Sequence, residues 1–189
     1  MFRAAARPRN GITAALDLCG LIYHCAVAQA RGPSSNALAG LAMNVVQVII
    51  MILGIYWTMT LLGASRTALR GDFVIFLMSG VLSYSTYQKT MAAVFRSDGP
   101  TSPMMLHAPM NTAVAIASSA LGALYVQVLV SFVILFGYHV GIKPVEIADP
   151  TFAFAMILLS WLLGLGTGMV LLAIRPWAPK AAPVLLTIL

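Results

Sequence analysis

The sequence predicts an all-α integral membrane protein, with an N-terminal interfacial amphipathic helix followed by a polytopic bundle of transmembrane helices. Three observations predict it. Of 189 residues, 60% are hydrophobic and 8% charged, whereas a soluble domain carries about a quarter charged residues. A core of this size cannot hide so much apolar surface from water, so the surplus must face lipid. Four apolar stretches each reach the length of about 20 residues that a helix needs to cross a hydrocarbon core. The cations, finally, are distributed unevenly about those stretches. The net charge of +6 comes from only 11 basic and 5 acidic residues. They are too few and too dispersed for a nucleic-acid footprint, and no nucleic-acid partner is expected.

The chain divides into an N-terminal segment, 1–37, and a transmembrane domain, 38–189. Within the first, Thr13 to Ala30 reads as a helix. Asp17, His24 and Arg31 recur every seven residues, a spacing that drifts only about 20° per step and so keeps one polar face. Leu18, Leu21, Ile22 and Cys25 lie elsewhere, which suits the membrane surface. A secretory signal peptide is the rival reading, with a basic start and small residues from Ala26 to Ala30, but Asp17 and His24 interrupt its apolar stretch. Cys19 and Cys25, the only cysteines, are six residues apart. They fall about 120° apart around a helix and are read as packing residues.

The four spans run from Leu38 to Gly63, Phe73 to Phe95, Asn111 to Tyr138 and Thr151 to Ile174. A fifth apolar segment starts at Ala181 and has nine residues, too short to cross. It reads as the beginning of a span that continues beyond this sequence. If four helices alternate, Arg3, Arg7, Arg9, Arg31, Arg96, Arg175 and Lys180 share one side. Arg66, Arg70 and Lys143 share the other, with Asp72, Glu146 and Asp149. The basic excess places the N-terminus in the cytoplasm. Lys89 lies 16 residues after Phe73, about 24 Å along the helix. It reads as an anchor near the cytoplasmic edge whose stem snorkels, rather than as a substrate contact.

Within the spans, Ser160, Gly164 and Gly168 recur every four residues. Such a stripe lets a neighbouring helix approach closely. Ala115, Ser119 and Ala123, with Ser118 and Gly122, give span three similar stripes. Asn44 and Gln47 share a face of span one and point to protein or to a water path. Between spans two and three lies a cytoplasmic link, 97–110. Ser102 is a good N-cap, Pro103 a good first helical residue, and Pro109 ends the helix. The resulting one or two turns leave Met104, Met105 and Leu106 as an apolar patch. That patch reads as an adaptable protein contact, or as a tight turn tucked against the spans. The chain holds no GxxxxGK[ST], HExxH or GxSxG motif. Its histidines, His24, His107 and His139, fall in three separate regions, so an enzyme is not expected.

These features resemble the membrane-spanning permease of bacterial ABC exporters of the capsular-polysaccharide and O-antigen type. The resemblance runs over nearly the whole chain: an interfacial helix, then Arg70-Gly71-Asp72-Phe73 leading into span two, GPTSPMMLHAPMN in the link, EIADP before span four and IRPWAPKAAP after it. Two departures stand out. RPWAPK replaces an Arg-Asp-rich run after span four, and the family's last two spans and reentrant segment lie beyond this sequence.

The resemblance implies a transport permease of the inner membrane. It would act as a homodimer, moving a polysaccharide or lipid-linked glycan with ATP and Mg²⁺ held by a separate ATP-binding subunit. That subunit would contact Ser102, Pro103, Met104, Met105, Leu106 and His107. Asn44, Gln47, Trp57, Tyr84 and Tyr87 become candidates for the glycan path, although aromatic residues near interfaces are also ordinary anchors. The competing classes are a membrane scaffold or assembly factor and an intramembrane enzyme.

Overall fold

The computed structural model describes residues 37–63, 73–97, 112–142, 144, 149–178, 184 and 186. Four long α-helices make up the described chain: α1 (Ala37–Leu61), α2 (Phe73–Arg96), α3 (Thr112–Gly141) and α4 (Pro150–Ile174). The described residues contain no strand. The proposed interfacial helix, with His24 and both cysteines, lies outside them, as do residues 98–111 of the link and its continuation into α3.

The helix ends follow local chemistry. α1 closes through bonds from Leu62 N to Thr58 O and from Gly63 N to Thr60 O, each 3.1 Å. Gly63 has φ +74°, the left-handed turn that a glycine takes without a Cβ clash. α4 starts after Asp149, which is extended at φ −136°, with Pro150 in the first turn, where its missing N–H costs no helical bond. Thr86 donates to Leu82 O at 2.8 Å and Ser131 to Gln127 O at 2.8 Å, so buried hydroxyls are satisfied inside their own helices.

Pairings between helices fix the topology. α2 runs antiparallel to α1, since Tyr56 stacks near Phe73 (6.3 Å between centroids) while Gln47 meets Lys89. Ser85 meets Gln127, and Trp161 Nε1 donates to Ala120 O at 2.8 Å. α2 and α4 run parallel, because Gly164 lies against Tyr87 and Gly168 against Val94. The arrangement is up-down-up-down. The chain therefore enters α1 at the end of the bundle where it also leaves α2, enters α3 and leaves α4.

α2 is the central helix. It packs against the other three and most extensively against α4. One apolar cluster joins Val48 of α1, Met78, Val81 and Leu82 of α2, and Val130, Ile134 and Tyr138 of α3. A second joins Met91 and Phe95 of α2 to Leu171 of α4, with Leu186 packed on it. Outside these clusters the surface is apolar: Trp57, Phe132, Phe136, Phe152 and Val170 are among many large exposed hydrophobic residues.

Among the described residues, three helices are long and apolar enough to cross a membrane: α1 from Ala39, α3 and α4. The sequence predicted four. α2 has the length, 24 residues, but Ser83 to Thr90 is an unbroken run of eight hydroxyl-bearing, amide or charged side chains. That run lowers its hydropathy, and the bundle compensates by burying Ser85, Thr86 and Thr90 against its neighbours. The described chain is an all-α, multi-pass membrane architecture, with Ser85, Thr86, Thr90 and Gln127 inside and a largely apolar surface outside.

Candidate functional site

The polar interior gathers at one end of the bundle. A cavity of about 300 Å³ lies between α1, α2 and α3. Asn44 comes from α1, Lys89 and Arg96 from α2, and Ser119, Gly122 and Gln127 from α3. Helical geometry explains the grouping. Lys89, Ala92, Ala93 and Arg96 are three or four residues apart, so they share one face of α2. Ser119, Gly122, Ala123 and Val126 do the same on α3.

Lys89 is half-buried, and its Nζ donates to Gln47 Oε1 at 2.6 Å. Gln127 is fully buried. Its Nε2 donates to Ser85 Oγ at 2.9 Å, and its Oε1 has no partner. Thr90 Oγ1 is buried without a partner as well. An orphaned buried acceptor costs about 1–3 kcal/mol, and the expense buys nothing in packing that a leucine would not supply. Arg175, at the same end, places its guanidinium 5.6 Å from the Phe95 ring centroid. Asp149 is the only carboxylate among the described residues, and it stands at the start of α4, the opposite end of the bundle.

The sequence-derived candidates separate into groups. Asn44 and Gln47 both reach Lys89's neighbourhood, Asn44 in the cavity wall and Gln47 through its hydrogen bond. Lys89, read from sequence as an anchor, is tied to a second helix. Trp57 is exposed far along α1. Tyr84 is exposed and accepts from Gln88 Nε2 at 2.6 Å. Tyr87 packs on the Met91–Phe95 cluster instead of the cavity. Ser102, Pro103, Met104, Met105, Leu106 and His107 lie outside the described residues.

Of the packing stripe, Gly164 and Gly168 face α2. A Cβ on Gly164 would come 2.6 Å from the Tyr87 carbonyl oxygen, and one on Gly168 2.8 Å from Val94 Cβ. Ser160 instead lines an apolar groove of about 520 Å³ between α2, α3 and α4, with Met78, Leu135, Met156 and Leu163. Sequence reasoning passed over Gln127 and Ser85. The signal was present, since a glutamine inside an apolar run of α3 is the same anomaly that singled out Asn44 and Gln47 in α1.

No family model, no curated protein and no solved structure matches this chain. The fold and the cavity define a multi-pass helical membrane protein with a cavity at one end lined by two cationic side chains.

Proposed function

We propose that the chain is the transmembrane permease subunit of an ABC exporter, carrying a polysaccharide or lipid-linked glycan across the bacterial inner membrane. In this reading α2 crosses as the fourth span and the N-terminus is cytoplasmic. A second copy completes the pathway, and a separate subunit hydrolyses ATP. The observation that carries the reading is the position of α2. It packs on all three others and makes the most extensive of the helix contacts, with α4, and it ends where the proline-bounded link 97–110 begins. A partner pressing on that link would act directly on α2 and α3, and through α2 on α1 and α4. The lack of a phosphate-loop motif supports placing ATP hydrolysis on another chain. Met104, Met105 and Leu106 supply the apolar contact, each side chain worth about 1.5–3 kcal/mol when buried, before ordering costs.

The test is capture of the ATP-binding subunit by Met105→Asp and Leu106→Asp, together with surface glycan. Each charge would be buried unpaired in the contact. Both substitutions should abolish capture and export while membrane insertion stays normal. Wild-type capture and glycan in both would reduce the link to a turn.

A further inference from the structure

We propose that the cavity between α1, α2 and α3 is a binding site for a phosphate group, held by Lys89 and Arg96. The proposal rests on the part of that reading in which α2 crosses the membrane, not on export, and concerns binding alone. Four observations carry it. Lys89 and Arg96 line one face of α2 seven residues apart, and no carboxylate among the described residues approaches either of them. Lys89 uses one of its three N–H bonds on Gln47 Oε1. The others, with the Arg96 guanidinium, make an unneutralised pair of donors suited to a phosphate oxygen. The walls are mixed. Asn44, Ser119 and Gln127 line the cavity beside Ala92, Ala93, Gly122, Ala123 and Val126, so the two cations meet a lining of small side chains that leaves room for a headgroup.

Depth points to the same ligand. Asn44 and Ser119 each stand seven residues into their helices, about 10 Å from the end of the bundle. Arg96 is the last residue of α2. α2 is about 36 Å long, whereas the hydrocarbon core is about 30 Å thick and lies inside headgroup layers. The Arg96 mouth of the cavity therefore opens at the headgroup boundary, with Lys89, Asn44 and Ser119 about two helical turns deeper. The apolar groove of about 520 Å³ at the other end offers no comparable charge.

The probe is the full chain in mixed micelles containing equal phosphatidylglycerol and phosphatidylcholine, read by native mass spectrometry, with inorganic phosphate as competitor. Wild type should retain phosphatidylglycerol about tenfold over phosphatidylcholine, the preference two cations near one anionic headgroup would give. Arg96 is exposed, so Arg96→Gln should fold normally and cut that preference to about twofold. Ala93→Glu places a carboxylate between Lys89 and Arg96 at helical spacing and should reduce it to about one. Displacement by inorganic phosphate identifies a soluble phosphate as the ligand source, and persistence of the lipid identifies the headgroup; both sustain the site. Equal retention of the two lipids by wild type overturns the proposal. So does a wild-type preference that survives in Arg96→Gln and Ala93→Glu. Asp98 adjoins the site in sequence, and a preference found only in Asp98→Asn would show that this chain's own carboxylate fills the role, which also overturns it.

Discussion

α2 and α4 have nearly the same length, 24 and 25 residues, yet they are built on opposite plans. α2 is the less apolar and the more buried, with ten buried residues, among them Ser85, Thr86 and Thr90. α4 is uniformly apolar and buries four, two of which are glycines. In water the apolar helix would take the centre. Here the polar helix does, because a hydroxyl or amide facing hydrocarbon has no partner, whereas leucine facing hydrocarbon costs nothing. The comparison teaches that side-chain chemistry chooses which helix is enclosed, and that close backbone contact at Gly164 and Gly168 joins the two beside the Met91–Phe95–Leu171 cluster.

The strongest way to break this comparison is Leu162→Asp, on the exposed side of α4. At mid-helix it should raise the cost of insertion by about 3–4 kcal/mol. A glycosylation-reporter insertion assay checks it, and unimpaired insertion would mean that α4 faces water. Gly164→Leu comes next. With 2.6 Å available to its Cβ beside the Tyr87 carbonyl, it should destabilise the bundle by about 3 kcal/mol, the upper end of ordinary overpacking. Reversible unfolding in mixed micelles measures it.

A smaller effect is expected from the Lys89–Gln47 bond. A double-mutant cycle with Lys89→Met and Gln47→Leu should return a coupling of about 0.5–1 kcal/mol, as for other polar contacts between membrane helices. A coupling near zero would make Lys89 an anchor and nothing more. The smallest change is expected at Gly166, whose Cβ would meet nothing within 4 Å. Gly166→Leu should alter stability by less than about 1 kcal/mol, in the stabilising direction that helix propensity favours. The contrast between positions 164 and 166 is the sharpest test that α4 meets α2 along one line.

Much of the architecture was legible because lipid imposes a length on apolar runs. The spans expected from Leu38, Phe73, Asn111 and Thr151 begin within one residue of the helices found at Ala37, Phe73, Thr112 and Pro150. Their far ends were less sharp. α3 continues to Gly141, three residues beyond the expected Tyr138, because His139 and Val140 extend the helix past its apolar run. The spacing of Gly164 and Gly168 could be read directly, since four residues return to the same face. The helix they meet could not be read, because that depends on register between segments distant in sequence. The cavity was legible only in halves for the same reason. Lys89 with Gln47, and Gln127 with Ser85, are each separated by 42 residues. Their pairing exists only once α1 and α3 have docked antiparallel to α2.

The two glycines of α4 also restrict how the bundle can rearrange. Sliding α4 along α2 would carry a larger side chain past the Tyr87 carbonyl, until the next small residue on that face arrives. Gly168 is four residues from Gly164, about 6 Å of travel. α4 thus has notches one helical turn apart rather than a smooth track. Movement of this pair should come as rotation of α2 and α4 together, or as whole-turn jumps, with nothing stable between.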